Sequence, residues 1–175
     1  VPEERNGHGA VPAFSLADNA LLTAHARADL ARRGIIRRKA AKTYADQIIA
    51  DFDVRCRGAG APAGSLSGGN LQKFILGREI RQNPGVLVVC QPTWGVDAGA
   101  ASLIHTKLLA LAASGSAVLV ISQDLDELLA LSHRLAVLTA GRLSRPCPAG
   151  ELSVSEIGLL MGGTHAGGTV QADAA

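Results

Sequence analysis

Apolar residues along this chain follow two rhythms, a spacing of three and four up to about residue 80 and short continuous runs after it. The first predicts helices, the second strands joined by helices. Ser15-Leu16-Ala17-Asp18 has the form of a helix start, a capping serine with an acidic residue three positions on, and that helix is expected to run to about residue 33, where Gly34 stops it. A second helix from about Arg37 carries Ala41, Tyr44, Ala45, Ile48 and Phe52 on one stripe. Two consecutive helices with no strand between them predict a small helical subdomain. Residues 57–64 form a Gly/Ala/Pro linker, and the helix beyond it, reaching Ile80, is not cleanly amphipathic. Leu71, Phe74 and Ile75 form one stripe while Leu76 and Ile80 lie on another side, so this helix should be packed on more than one face. Asn83-Pro84 ends it, since the residue before proline is biased away from helix.

From there the pattern changes. A strand is predicted over Val86–Cys90, then a helix from about Gly99 with Ile104, Leu108 and Leu111 on one face, then a strand over Ala117–Ile121. Short apolar runs joined by an amphipathic helix argue for a parallel sheet with a right-handed crossover, hence an α/β fold. A short helix follows over 124–131, then two terminal strands over 134–139 and 142–144 joined through Ala140-Gly141. After Pro146 the pattern weakens to one helix, Val154–Met161, and a Gly/Ala tail expected to be disordered.

Composition narrows the classes. A chain of 175 residues with 47% hydrophobic and 18% charged residues fits one domain and can fill a globular core. Its longest apolar runs fall well short of the roughly 20 residues of a membrane-spanning helix, and no targeting segment is visible. The opening Val-Pro-Glu-Glu-Arg has neither a start methionine nor an apolar leader, so the chain reads as cut from something longer. Cys56, Cys90 and Cys147 are too widely spaced for a zinc or redox pair, and three in number give no even disulfide framework, which makes a reducing cytoplasm the default. His8, His25, His105, His133 and His165 show no ligand spacing and read as surface or capping residues. A basic run, Arg32, Arg33, Arg37, Arg38, Lys39 and Lys42, invites a nucleic-acid reading. Against it stand a net charge of only +2, aromatics at 3% of the chain, and Asp46, Asp51 and Asp53 close behind, which together favour a solvated helix face and no nucleic-acid partner.

The candidate chemistry is concentrated in Leu66-Ser67-Gly68-Gly69-Asn70. Two adjacent glycines after a serine, directly ahead of a run of helix formers, leave uncovered N–H groups at a helix N-terminus. Those donors, the positive end of the helix dipole and the Ser67 hydroxyl suit a phosphate. Taken alone, the pentapeptide reads equally well as a Gly-rich turn into a core helix.

Its setting adds a resemblance. In order, LSGGN, the strand Val86 to Gln91, and Trp94-Gly95-Val96-Asp97 resemble the signature, Walker B and D-loop of the ABC-type ATPases, and Ser122-Gln123-Asp124 after the next strand resembles their switch loop. More narrowly, LSGGN followed by Gln72-Lys73, Gln91-Pro92-Thr93-Trp94-Gly95-Val96-Asp97, and the opening Val1-Pro2-Glu3-Glu4-Arg5 resemble the second nucleotide-binding half of sugar- and nucleoside-type importer ATPases. The resemblance covers about residues 1–145. It implies an incomplete ABC-type, P-loop NTPase-like domain, with a helical subdomain followed by a mostly parallel sheet flanked by helices. The division it implies is residues 1–65 for the Q-loop region and helical subdomain, 66–145 for the signature, Walker B, D-loop and switch, and 146–175 for a terminal helix and tail.

The implied cofactors are ATP and Mg²⁺ in the full-length assembly. The implied partners are a second nucleotide-binding half and membrane-spanning permease subunits, which would hold the protein peripherally on the cytoplasmic face of the membrane, with the helical subdomain against the permease. Ser67, Gly68 and Gly69 would contact in trans the γ-phosphate held by the other half, with Asn70 a polar replacement for the commoner glutamine. Asp97 falls in the D-loop stretch, and Glu3 stands about where a Q-loop glutamine would be. The chain departs from the family at its own site. No GxxxxGK[ST] is present, and none of the four lysines follows a glycine. Cys90 and Gln91 replace an aspartate and a glutamate, and Gln123 replaces a histidine. A thiol is a poor Mg²⁺ ligand, and an amide can orient a water without accepting its proton, so the catalytic positions Gln91 and Gln123 are expected to be degenerate. For Cys90 the plainer role is a buried small residue at a strand end. A nucleic-acid or chromosome ATPase with an LSGG turn and a truncated half without function remain the alternatives; heptad-rich arms, zinc cysteine pairs and a strongly basic face are missing for the first. On this reading the 175-residue chain binds Mg-ATP weakly or not at all, which calorimetric titration checks. Micromolar binding to a folded sample would mean that the phosphate cradle lies elsewhere in the chain.

Overall fold

The computed structural model describes residues 1–163, and His165 and the tail beyond them lie outside the described residues. The chain divides into two compact units, one from Val1 to Gln123 and a second from Asp124 onward.

The first unit opens with a loop and then α1 (Leu16–Ala24). Ser15 caps α1 as its sequence predicts, accepting from the Asp18 amide at 3.0 Å. The helix is shorter than expected. Its chain turns through Asp29 at φ +52°, and Leu30 becomes buried with Ala24 and Ala41. The helix-forming residues His25, Ala26, Arg27 and Ala28 thus yield to the burial of one leucine, a case of tertiary packing overriding propensity. A two-residue hairpin follows, β1 (Ala31–Arg32) with β2 (Ile35–Ile36), in place of the expected helix-to-helix connection. Arg33 and Gly34 form its turn, both at positive φ, as two-residue hairpin turns require. The basic run therefore starts on a hairpin and continues into α2 (Arg38–Asp51), and three of its cations have acidic partners: Arg37 with Asp29, Arg38 with Asp18 and Lys42 with Asp46.

Helix α3 (Gly68–Ile80) begins at the glycine pair and is buried continuously from Leu71 to Arg78. This matches its lack of a single apolar stripe. Ala41, Ala45, Ile48 and Phe52 of the predicted α2 stripe are buried, and Ile48 and Phe52 meet α3 at Gly77, where an added Cβ would lie 2.7 Å from Phe52 Cδ2 and 2.8 Å from Ile48 Cγ2. Contact with α1 is apolar through Leu16 and Ala20, which share a buried cluster with Leu71, Phe74 and Ile75, and polar beside it. Arg78 donates to the carbonyls of Asn19 at 3.2 Å and Gly9 at 2.9 Å, while the fully buried Asn19 side chain accepts from the Val11 amide and donates to the carbonyls of Val11, Phe14 and Ser15. Every polar group in this knot has a partner, as burial demands.

Strand β3 (Val86–Cys90) pairs with β4 (Ala117–Ile121) in parallel, Val86 opposite Ala117 through Cys90 opposite Ile121. Helix α4 (Ala98–Ala113) makes the crossover, burying Ala100, Ile104, Leu108 and Leu111. On its other edge β3 receives the backbone of Val1: the Val1 amine donates to the Val88 carbonyl at 2.6 Å and the Cys90 amide to the Val1 carbonyl at 3.0 Å. That is the pattern of a parallel bridge opposite Val89. Leu87 and Val89 are buried, whereas Val86, Val88, Leu119 and Ile121 on the opposite face are exposed.

The second unit starts with α5 (Leu125–Leu131), capped by Asp124, followed by β5 (Arg134–Leu135) and β6 (Leu138–Thr139). The hairpin of β6 with β7 (Arg142–Leu143) turns through Ala140-Gly141 as predicted. Two details differ. The stretch 134–139 is two short strands, and β5 pairs with β8 (Cys147–Pro148), a pairing too short to leave a sequence pattern. Helix α6 (Val154–Met161) has the predicted bounds, fixed by a capping box between Ser153 and Glu156.

Gly77→Val should lower the stability of the chain by about 1–3 kcal/mol, because the packed ring of Phe52 leaves no room for a branched side chain. A denaturant-unfolding midpoint measures it. An unchanged midpoint would show that α2 can move off α3 at little cost.

Candidate functional site

Ser67 precedes α3 in an extended conformation, φ −63° and ψ 155°, and its hydroxyl accepts from Asn70 Nδ2 at 2.9 Å. Asn70 Oδ1 in turn accepts from the Arg55 amide at 2.8 Å, so the Asn70 side chain ties the turn to the preceding linker. Ser67 and Gly68 are exposed, and no acidic residue occupies the first turn of α3. The N–H groups of Gly68, Gly69 and Asn70 precede the helical repeat and have no acceptor within it.

The glycines are hemmed in on the protein side. A Cβ on Gly69 would lie 3.7 Å from Val96 Cα, and one on Gly68 would lie 2.7 Å from Arg5 Nη1. The turn is thus flanked by the loop after β3 on one side and the opening loop on the other. The sequence reading passed over two participants. Arg5 donates from Nε to Gln72 Oε1 at 3.0 Å, and the fully buried Gln72 donates from Nε2 to the Pro92 carbonyl at 3.0 Å. One signal for Gln72 was present: a lone amide among apolar residues on a helix buried all round needs partners for both its oxygen and its nitrogen.

At the carboxyl end of β3, Cys90 is half-buried and Gln91 is buried. The Gln91 amide extends the parallel ladder to the Ile121 carbonyl at 2.7 Å, and its φ of +49° turns the chain sharply into Pro92. Positive φ is uncommon outside glycine, asparagine and aspartate, so this turn is held by its surroundings. Gln91 Oε1 accepts from Ser122 Oγ at 3.3 Å, which joins the two strand ends, while Gln123 next to it is exposed. Glu3 is exposed in the opening loop, and among the described residues no hydrogen bond or ion pair joins it to the strand ends. A thiol, two amides and a hydroxyl are the side-chain donors here. Mg²⁺ prefers carboxylate and water oxygens, so this end of the sheet does not fit the ion that the resemblance implies. Among the described residues no cluster of His, Cys, Asp and Glu could hold a metal ion.

Asp97 has a structural task. It caps α4, accepting from the Ala100 amide at 2.9 Å, and that bond holds its carboxyl below the ordinary carboxylate range. A lowered value means that the cap is complete above the ordinary carboxylate pKa and is lost as pH falls through the lowered one. Amide exchange at Ala100 along an acid titration should accelerate in that window. Asp97→Asn should keep the cap and abolish the pH dependence; the same acid response in that variant would assign it to another group.

No family model matches the chain. It is 38% identical over 164 residues to the guanosine import ATP-binding protein NupO of Bacillus subtilis, covering 94% of this chain and 32% of that protein. It is 39% identical over 163 residues to the nucleoside import ATP-binding protein NupA of Lactococcus lactis, covering 93% and 32%. With the ribose import ATP-binding protein RbsA 2 of Streptomyces coelicolor it shares 37% over 168 residues, 95% of this chain and 32% of that one. The chain therefore spans about a third of the length of these relatives. Among solved structures, the dimeric ATP-binding cassette MJ0796 in a post-hydrolysis state with ADP and phosphate superposes with a TM-score of 0.70 at 21% identity, over 87% of this chain and 62% of that one. A second dimeric structure of that cassette gives 0.68 at 20% identity. The chain is a homologue of the sugar- and nucleoside-import ATP-binding proteins and has the α/β fold of the ABC-type ATPases.

Proposed function

We propose that this chain is part of the ATP-binding subunit of an importer for nucleosides or sugars, and that it supplies the Ser67-Gly68-Gly69 turn to ATP held by a second nucleotide-binding half. One observation carries the reading: a turn whose Ser67 and Gly68 are exposed, and whose first helix N–H groups have no acceptor within the helix, stands in the same unit as a β3 end that bears Cys90 and Gln91 and no carboxylate. The first arrangement suits a phosphate brought from outside, because three N–H groups and the helix dipole stabilise negative charge without any group of their own being transferred. The second cannot hold Mg²⁺ through a carboxylate or take a proton from water, so the half is weak at its own site and still useful to its partner's. Asn70 stiffens the turn and Asp97 caps the helix after the neighbouring loop, and in this reading both act as supports for the nucleotide site. Glu3, exposed in the opening loop, would reach the nucleotide only by a movement of that loop.

Permease subunits are the partners that the import function requires, with the protein held at the cytoplasmic face through them. Among the described residues no helix is long and apolar enough to cross a membrane. The division into residues 1–65, 66–145 and 146–175 belongs to the same reading, the first carrying the helical piece that would meet the permease.

Two measurements test it in the assembled, full-length transporter. Ser67→Arg or Gly68→Asp should cut ATP turnover by about a hundredfold or more, since the first fills the approach to the N–H groups and the second repels a phosphate. Unchanged turnover sinks the trans reading. At this half's own site, with the other half's catalytic carboxylate removed, Gln91→Glu alone should restore little, because Cys90 and Gln123 still lack a metal ligand and a switch charge. Cys90→Asp, Gln91→Glu and Gln123→His together should restore turnover with strongly non-additive effects, as groups acting as one unit do. A large rise from Gln91→Glu alone would mean that the metal is held by other groups.

A further inference from the structure

We propose that Arg5 and Gln72 are positioning residues that lock the opening loop, the Ser67–Asn70 turn and the loop after β3 into one rigid piece. This inference rests on the trans reading of that turn. Three contacts define the strut: Arg5 Nε to Gln72 Oε1 at 3.0 Å, Gln72 Nε2 to the Pro92 carbonyl at 3.0 Å, and the Arg5 guanidinium wedged between two glycines. Its Nη1 lies 2.7 Å from where a Gly68 Cβ would be, and Nη2 and Nη1 lie 3.6 and 3.7 Å from where a Gly95 Cβ would be. Gly95 has φ +64°. Its bare backbone both permits the turn and leaves the guanidinium its space.

The charge at this position calls for the strut. A guanidinium beside the N-terminus of α3 faces the positive end of the helix dipole, and among the described residues no carboxylate pairs with it. Left free, a long cation would swing into solvent. Gln72 prevents this from inside the helix, because its amide is fully buried and each end of it is committed. Its other end holds the Pro92 carbonyl directly after Gln91, the residue forced to positive φ. Disturbing Gln72 therefore moves the signature-like turn and the strand end together. Turnover depends on such placement steeply, since about 1 Å of misplacement can cost about a hundredfold.

The test uses the full-length transporter with its permeases and reads kcat and KM for ATP separately. Gln72→Met and Arg5→Met should each lower kcat by about tenfold or more with KM within about twofold, because the nucleotide is bound by the other half. The double variant should be no worse than the poorer single, since both remove one strut. Arg5→Lys should fail to restore kcat: a lysine ammonium that bonds Gln72 cannot also reach between the two glycines, so charge alone does not suffice. Should Gln72→Met fail to fold, the half-exposed Arg5 and its two variants decide alone. Ser67→Arg runs alongside. If it abolishes turnover while Arg5→Met keeps kcat within about twofold, or if Arg5→Lys restores it, the strut is wrong and the trans reading stands. If Ser67→Arg leaves turnover intact, the trans reading falls and the strut's part in turnover falls with it.

Discussion

The all-round burial of α3 is the constraint on which the first unit depends. A helix whose residues Leu71 to Arg78 are all inside cannot have one apolar stripe and one wet face, so each neighbour must meet it on its own terms. Helix α2 meets it through the side chains of Ile48 and of Phe52 just beyond it, packed on the bare backbone of Gly77; α1 and the opening loop meet it through Leu16 and Ala20 in the shared core and through the hydrogen bonds from Arg78 to the Asn19 and Gly9 carbonyls; the loop after β3 meets it through Gln72. These contacts differ in kind but share a result. Every one fixes the rotation and height of α3, and the exposed glycine turn at its start inherits that position.

The turn therefore gains its precision from the far end of its own helix. The Ser67–Asn70 stretch has few contacts in its own right: Asn70 spans Ser67 and Arg55, Gly69 rests on Val96, and Gly68 on Arg5. A short exposed loop carrying the same sequence would present the same N–H groups with no fixed direction. Donors count in proportion to their preorganisation, and here a buried helix supplies it.

Much of this was legible in the sequence, for reasons that differ along the chain. The bounds of β3, β4 and α6 could be read because short apolar runs and a Ser153-Glu156 box are local signals, settled within a few residues. The end of α1 could not. Nothing between His25 and Arg33 forbids helix, and the chain turns only because Leu30 finds a buried place beside Ala41, a contact invisible to any window of neighbours. The pairing of β5 with β8 escaped for the same reason, two residues on each side leaving no period to detect. At the site, Ser67, Gly68 and Gly69 announced themselves by residue type. Arg5 and Gln72 did not, since what marks them is mutual geometry across a sequence separation of 67 residues.

The parallel bridge of Val1 to β3 has a consequence for how the two halves of the site tolerate change. With β4 on one edge and Val1 on the other, β3 emerges from between two neighbours, and its backbone is held by the ladder whatever side chains stand at its tip. Carboxylates at such a tip would contribute chemistry and mutual repulsion but little packing, and Cys90 and Gln91 stand there with the backbone pairing of the sheet intact. The glycine turn has no such freedom. A Cβ at Gly68 would run into the Arg5 guanidinium and one at Gly69 would rest against Val96, so a change there disturbs its neighbours. The tip of β3 thus accepts new side chains more readily than the start of α3 does.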